Sequence, residues 1–169
     1  MSDNNVVMNN TILNNVNGIW MYKAQYNTIK GNTVSDSINK GIHMDTYSQH
    51  NTVVNNYIEN NGEYGIHIDG TTSGSNKIYN NYLHNTNNAY DEGNNQWNVA
   101  KIAGKNIVGG AWLGGNYWSD YYGTDTDGDG LGDTNLPYNC NGNIQNGGDM
   151  HPLVTRAVSY THLTLPTKA

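Results

Sequence analysis

The sequence predicts an all-β fold, a right-handed parallel β-helix of about four turns followed by an irregular Trp/Gly-rich cap. The first supporting observation is an Asn-x-aliphatic triplet that recurs at steps of 22, 24 and 25 residues, beginning at Asn5, Asn27, Asn51 and Asn76. The second is a similar triplet five residues after each of these. The third is a Gly-Ile pair later in the period, at Gly18, Gly41 and Gly65. Markers that keep step in this way are typical of solenoid proteins.

Each turn is predicted to contain short strands. In Gly41-Ile-His-Met-Asp and Gly65-Ile-His-Ile-Asp, aliphatic residues alternate with polar ones, which is the period of a strand with one buried face. Helical spacing is absent between residues 4 and 90. Three strands joined by Asn or Gly corners therefore form one turn, and successive turns lie roughly 4.8 Å apart. Asn suits the corners because it tolerates the left-handed conformation and its side chain can bond the Asn of the next turn.

The β-helix is predicted to span residues 4–95. Its turns are residues 4–26, 27–50, 51–75 and 76–95, and the column is expected to end in the last one, which lacks the Gly-Ile pair. Burying about five aliphatic side chains in a turn contributes roughly 1.5–3 kcal/mol each. Ordering the backbone costs roughly 1–2 kcal/mol per residue. A single turn is therefore unstable, and only stacked turns form the column.

The rest of the chain is predicted to be a cap and a tail. Residues 96–156 combine Trp97, Trp112 and Trp118 with many glycines, and this pattern predicts a compact cap over the last turn. An aromatic platform that binds a ligand is the alternative interpretation. Residues 157–169 share no composition with the rest, so we expect a disordered or non-native tail.

Alternation in the first three turns predicts a strip of outward side chains. Its expected members form two columns, one of Trp20, His43 and His67 and the other of Tyr22, Asp45 and Asp69. Aromatic rings stack on sugar rings, and carboxylates and imidazoles bind hydroxyl groups, so the strip predicts a polysaccharide ligand. A solvated sheet face is the plainer interpretation. Aligned carboxylates repel each other, which predicts a bound cation or a shared proton. Their spacing would also suit a retaining glycosidase, at about 5 to 5.5 Å.

Residues 125–133 have the pattern of a calcium loop. The predicted ligands are four carboxylates and one backbone carbonyl, from Asp125, Asp127, Asp129, Asp133 and Leu131. Carboxylates at positions 1, 3, 5 and 9, glycine at 6 and a carbonyl at 7 reproduce most of this pattern. Position 12 is Leu136 and not the usual Glu, so water, Asp120 or Asp149 is expected to complete the shell. A plain acidic turn is the alternative.

Composition and charge exclude several classes of protein. The net charge of −6 argues against a nucleic-acid partner, which calls for a basic face. No stretch approaches the roughly twenty apolar residues of a membrane span. The single cysteine, Cys140, excludes an internal disulfide and is expected to be a buried thiol or half of a bridge to a missing part. An unpaired first turn and the absence of an export leader predict that the chain is part of a larger polypeptide.

The repeat resembles the NosD-type β-helix, also called the carbohydrate-binding and sugar-hydrolase (CASH) repeat. Its Asn-Thr-Ile and Gly-Ile-His segments carry the resemblance. The runs Gly114-Gly-Asn-Tyr-Trp-Ser-Asp-Tyr and Gly-Gly-Asp149-Met-His-Pro-Leu, with the Asp-rich loop, resemble the segment that ends such repeats in archaeal and bacterial surface proteins. The tail resembles a translated sequencing adapter. The resemblance to the NosD-type repeat covers about residues 4–156, and it implies a right-handed β-helix, export and a periplasmic or cell-surface location.

Four functional hypotheses follow. The first is a non-catalytic, calcium-stabilised extracellular or periplasmic module that binds or displays polysaccharide. The second is a glycosidase or lyase using Asp45 and Asp69. A lyase would need a basic residue beside calcium to abstract a proton, and the only arginine, Arg156, lies beyond the Asp-rich loop. The third is a structural spacer in a surface layer. The fourth is an accessory in copper-site maturation, which only the resemblance implies. His43 and Met44 are expected on opposite faces of one strand, and no cluster of Met, His and Cys has ligand spacing.

Overall fold

A computed structural model describes residues 2–155 and confirms the parallel β-helix. The first two turns contain β1 (Val6–Met8), β2 (Thr11–Leu13), β3 (Ile19–Tyr22), β4 (Thr28–Lys30), β5 (Thr33–Ser35) and β6 (Lys40–Asp45). The next two contain β7 (Thr52–Val54), β8 (Tyr57–Glu59), β9 (Tyr64–Ile68), β10 (Lys77–Tyr79), β11 (Tyr82–His84) and β12 (Ala89–Asp91). The C-terminal part contains β13 (Ile102–Ala103), β14 (Trp112–Leu113), β15 (Tyr117–Trp118) and a 3-10 helix, Cys140–Gly142. The predicted tail at 157–169 lies outside the described residues.

Strands at the same position in each turn pair in parallel and form three sheets along the column. The first sheet has the order β1-β4-β7-β10, the second β2-β5-β8-β11-β15 and the third β3-β6-β9-β12. The register follows the sequence repeat, since Thr28 lies opposite Thr52 and His43 lies opposite His67. Outside these sheets, β13 and β14 form an antiparallel pair.

Inward aliphatic side chains fill the centre of the column. Ten of the larger ones are at most 1% exposed: Ile29, Val34, Ile42, Met44, Val53, Ile58, Ile66, Ile68, Ile78 and Leu83. The Gly-Ile pair is explained by close packing, because a Cβ atom on Gly41 would lie 2.6 Å from the carbonyl oxygen of Gly65. Only glycine lets consecutive turns approach this closely.

Ladders of Asn side chains run along the corners of the column. The first ladder contains Asn5, Asn27, Asn51, Asn76 and Asn95. The second contains Asn10, Asn32, Asn56, Asn81 and Asn116. A shorter third ladder contains Asn61, Asn85 and Asn88. In each ladder the side-chain amide of one turn donates to the Oδ1 atom of the next member. Corner residues such as Asn55 (φ 59°) and Asn80 (φ 53°) are left-handed, so both predicted uses of Asn are present.

Each ladder ends on a carboxylate at the C-terminal end of the column. The terminal residues are Asp91, Asp149 and Asp120, which accept a hydrogen bond from the last Asn at 2.8, 2.7 and 2.6 Å respectively. The donor is a backbone N–H in the second ladder and a side-chain amide in the other two. In each ladder the Oδ1 atoms face the preceding turn and one N–H of each donating amide faces the next turn, while the amide also donates to a backbone carbonyl, so the amide dipoles share one direction along the ladder. This direction favours the charged carboxylate, as at the N-terminus of a helix, although burial opposes it and raises the pKa of Asp91 and Asp149.

The predicted cap closes the same end. Trp97 (0% exposed) and Trp118 (2% exposed) pack with the aliphatic core. The indole N–H of Trp97 donates to Asp91 and that of Trp118 donates to Asp149, both at 2.8 Å. A side chain on Gly115 would collide with the Asp149 carboxylate, which explains a glycine beside this ladder. The two C-terminal motifs of the sequence therefore meet at one buried aspartate.

The missing Gly-Ile pair does not end the third sheet. In the fourth turn, Ala89 of β12 lies opposite Ile66 of β9. The small Ala89 side chain takes the inward position and is fully buried. The predicted boundary at residue 95 is crossed by a backbone hydrogen bond from Gln96 to Asn76, at 2.9 Å. That boundary stays a prediction.

Candidate functional site

The outer face of the third sheet brings the six residues of the predicted strip together. In the first column, Trp20 lies opposite His43, and His43 lies opposite His67. Their ring centroids are 5.9 and 5.5 Å apart. In the second column, Tyr22 lies opposite Asp45, and Asp69 follows the last residue of β9. The repeat thus places imidazoles and carboxylates side by side.

The polar centre of this face consists of His43, Asp45, His67 and Asp69, which we call the His/Asp cluster. Asp69 joins the two imidazoles, because its Oδ2 atom is 2.5 Å from Nε2 of His43 and its Oδ1 atom is 3.0 Å from Nε2 of His67. Asp45 accepts a hydrogen bond from the hydroxyl of Thr46 at 2.8 Å. One possible metal-ligand atom from each of His43, Asp45 and Asp69 lies within 4.8 Å of the other two. One nitrogen and two oxygens therefore converge on one place.

Two tyrosines that the sequence interpretation missed enclose His67. The ring of Tyr64 is 4.9 Å from the imidazole and that of Tyr90 is 4.8 Å from it. Tyr90 lies opposite His67, so it continues the column of rings formed by Trp20, His43 and His67 (the ring column). The alternation in Ala89-Tyr-Asp could have indicated this outward position. Burial lowers the pKa of His67 against the opposing effect of Asp69. The imidazole is thus neutral near pH 7, and its buried Nδ1 atom has no hydrogen-bond partner.

Ring stacking decides which surfaces a ligand can reach. His43 lies between Trp20 and His67, so its side chain is only 11% exposed. Trp20, in the first turn of the sequence, is 62% exposed. A sugar ring can therefore stack on Trp20. Farther along the column it would meet ring edges and the half-exposed carboxylate of Asp69.

The predicted calcium loop curls around its own carboxylates. Carboxylate oxygens of Asp125, Asp127 and Asp133 lie within 4.8 Å of one another. Asp125 accepts hydrogen bonds from three backbone N–H groups of the loop, at 2.7 to 3.1 Å. The N–H and hydroxyl of Thr126 donate to Asp133 and hold the pKa of that carboxyl below its usual range. The loop thus presents three converging oxygen ligands.

The two remaining predicted loop ligands, Asp129 and Leu131, are not part of this group of three carboxylates. Asp129 is paired with Lys101, so its carboxylate is outside the group of three. The Lys101 ammonium also lies 4.8 Å from the ring centroid of Trp112, a contact that the sequence did not reveal. Leu131 buries its side chain, and its N–H donates to Asp129 at 2.7 Å.

Asp149, one of the three groups expected to complete the calcium shell, is engaged at the end of the second ladder. Asp149 is fully buried and accepts N–H groups of Asn116, Trp118 and His151 at the end of the second ladder. Burial raises its pKa to about 7 although these donors oppose the shift. Asp120 accepts a hydrogen bond from Asn88 of the third ladder, and completion of the shell by water or Asp120 stays a prediction.

The arrangement of Asp45 and Asp69 bears on the enzyme hypothesis. Retaining glycosidases place two carboxyl groups on either side of the scissile bond, about 5 to 5.5 Å apart. Here both belong to one sheet face, and both oxygens of Asp69 are engaged by imidazoles. Carboxylate oxygens of the two residues lie within 4.8 Å of each other, and the enzyme hypothesis stays a prediction.

A family model described as "Periplasmic copper-binding protein (NosD)" matches residues 1–123 of the 169-residue chain. The chain belongs to the NosD family. The match spans all four turns and the whole His/Asp cluster, and it ends before the Asp-rich loop. Comparisons with curated proteins and with solved structures gave no match. Across residues 2–155, no helix has the length and apolar character needed to cross a membrane.

Copper, which the NosD description names, fits the outer face of the column better than the core. Thioether and thiolate ligands suit Cu(I), but Met21 and Met44 are buried core residues. Cys140 is a free thiol buried in the cap, and burial raises its pKa. Imidazole and carboxylate ligands suit Cu(II), and the His/Asp cluster of this NosD chain offers both.

Proposed function

We propose that this NosD-family chain is a non-catalytic periplasmic or cell-surface module that binds polysaccharide on the outer face of the third sheet. The column of Trp20, His43 and His67 rings beside the carboxylates of Asp45 and Asp69 supports this proposal most directly. The Trp20 ring supplies an apolar face, and Asp45 and Asp69 supply acceptors for hydroxyl groups.

The regular spacing of the turns favours an extended ligand. Equivalent groups recur about every 4.8 Å along the column. They are carried by paired strands, so little side-chain and backbone freedom remains to be lost on binding. A polymer of sugar units would contact several turns at once, whereas a single sugar would contact one or two.

A glycan array followed by an assay of reducing-sugar release tests the proposal. Binding without release supports a module, and we expect Trp20→Ala to weaken it about tenfold, which corresponds to roughly 1.4 kcal/mol. Tyr122→Ala is the matched control, because Tyr122 is 84% exposed in the C-terminal part. Sugar release that Asp69→Asn abolishes would establish the enzyme hypothesis instead. The absence of both binding and release would support the structural spacer.

We also propose that the Asp-rich loop binds calcium and is ordered by it. Three carboxylates without a neutralising cation repel one another, so an oxygen-liganded ion would stabilise the loop. The expected Kd is in the range of extracellular modules, about 10⁻⁴ to 10⁻³ M. Calcium should raise Tm and EDTA should reverse the rise, whereas Asp127→Asn should remove the effect. Asp3→Asn, outside the loop, is the control; an unchanged Tm in the parent chain would reject calcium binding.

Copper handling is a second candidate function. The family match favours it, and the imidazole and carboxylate groups of the His/Asp cluster are chemically suited to Cu(II). Binding of copper without any glycan binding would favour this function over the first.

A further inference from the structure

We propose that the His/Asp cluster is a binding site for a divalent transition-metal ion of the Cu²⁺ and Zn²⁺ class. His43, Asp45 and Asp69 are its ligands, and His67 is a positioning residue. The proposal stands on the geometry of these side chains and does not depend on polysaccharide binding. It gives the copper-handling candidate a defined place on the molecule.

The three ligand atoms are close enough to share one ion. They lie within 4.8 Å of one another. For metal–nitrogen and metal–oxygen bonds of about 2.0 to 2.2 Å, neighbouring ligand atoms are roughly 3 Å apart and opposite ones roughly 4.2 Å apart. The hydrogen bond of 2.5 Å between His43 and Asp69 would have to lengthen by about 0.5 Å when the ion replaces its proton. The Asp69 side chain is 41% exposed and has room for this movement.

The charge of the cluster suits a divalent cation. Two carboxylates at this distance repel each other unless a cation or proton lies between them. Lys40, a cation on the same sheet, is engaged by Glu63 at 3.0 Å. The low exposure of His43 keeps its imidazole partly dehydrated, so water competes less for the ion. Two carboxylates and one neutral imidazole would together balance the two positive charges of the metal.

His67 supports the site from the adjacent turn. Its Nε2 atom is 3.0 Å from Oδ1 of Asp69, and the rings of Tyr64 and Tyr90 fix the imidazole. Ligating carboxylates are usually held by such outer hydrogen bonds, and loss of one typically lowers metal affinity 10- to 100-fold. His67 thus fixes the orientation of the Asp69 carboxylate through Oδ1, while Oδ2 lies next to His43.

Ligand chemistry distinguishes this site from the Asp-rich loop. Imidazole nitrogen favours Cu²⁺ and Zn²⁺, whereas the loop offers carboxylate oxygens, which favour Ca²⁺. The two sites should therefore bind different metals in one molecule, and a substitution in one should leave the other unchanged.

Titration of the tag-free chain with Cu²⁺ and Zn²⁺, followed by calorimetry and by electron paramagnetic resonance of the Cu²⁺ form, tests the proposal. We expect one equivalent with nitrogen coupling in the spectrum. Affinity should fall at least about 100-fold in His43→Gln and Asp45→Asn, and about 10- to 100-fold in His67→Gln. His84→Gln, an exposed histidine of the second sheet, and Asp127→Asn of the loop are the controls. Both should bind like the parent.

Unchanged affinity in Asp45→Asn, or affinity that depends on His84, would overturn the proposal. Asp45 decides the outcome if His43→Gln fails to fold, because Asp45 is half-buried and its side chain bonds Thr46. Circular dichroism of each variant checks the fold. Loss of metal binding with glycan binding retained, or the reverse, separates this proposal from the polysaccharide one.

Discussion

Replacing Asn56 by alanine should destabilise the column more than replacing Asn10 in the same ladder. Asn56 is fully buried, and its Oδ1 atom accepts both the backbone N–H and the side-chain amide of Asn32, at 2.9 and 3.0 Å. Its own amide donates to carbonyl oxygens of Ile29 and Val54, both at 3.0 Å. Asn10 begins the ladder, is exposed, and donates to Asn32 and Met8.

The magnitude follows from the groups that lose their partners. In Asn56→Ala the buried N–H of Asn32 loses its acceptor, which costs about 1–3 kcal/mol. The bonds of the Asn56 amide and the small cavity add roughly 1–2 kcal/mol. The total of about 2–5 kcal/mol is a large part of the 5–15 kcal/mol that typically stabilises a protein. For a chain of this size, Tm should fall by about 4–20 °C. Asn10→Ala should cost less than about 1 kcal/mol, because water can replace the Asn10 amide.

Urea unfolding followed by circular dichroism gives both free energies. Equal losses in the two variants would show that the buried ladder adds no stability beyond that of a surface amide, and the reasoning would fail. A larger loss in Asn56→Ala with an unchanged dependence on urea would support it, since the surface exposed on unfolding would then be the same.

Two further predictions concern stability. Because the pKa of Asp149 is raised to about 7 in the folded chain, the stabilising effect of its protonated carboxyl on the free energy of unfolding is fully present below about pH 4. This effect is lost as pH rises toward 7. The loss is at most about 4 kcal/mol. Burial also raises the pKa of Asp91, so urea unfolding at several pH values should show a steeper loss in the parent than in Asp149→Asn; an equal pH slope in both would refute the prediction. Gly41→Ala should cost about 1–3 kcal/mol because its Cβ would meet the Gly65 carbonyl. Gly74→Ala, with its nearest atoms at 3.5 Å, should be tolerated, and equal Tm values in the two variants would contradict the packing argument.

The sequence contained most of the information on the fold because the turns are repetitive. Strand alternation and the positions of Asn27, Asn51 and Asn76 determine both the register and the inward face. A shift of one residue would expose every aliphatic side chain, so the pattern has one consistent solution. The fourth turn keeps its third strand although it lacks the Gly-Ile pair, because Ala89 takes the inward position.

The C-terminal part was predicted less completely because it does not repeat. Asp91, Asp120 and Asp149 end three ladders, but they come from segments of different length with no common spacing. Lys101 reaches Asp129 from 28 residues away, which no local pattern indicates. At the strip, the repeat predicted the columns, whereas the engagement of Asp69 with two imidazoles depends on side-chain geometry.

Side-chain NMR of the six histidines tests most directly whether the outer face of the third sheet is the binding face. The intact chain would be titrated with Zn²⁺ and, separately, with a polysaccharide that the array identifies. We expect the imidazole resonances of His43 and His67 to shift, while those of the exposed His50 and His84 stay in place. Shifts at His50 or His84 alone, or none in either titration, would contradict it.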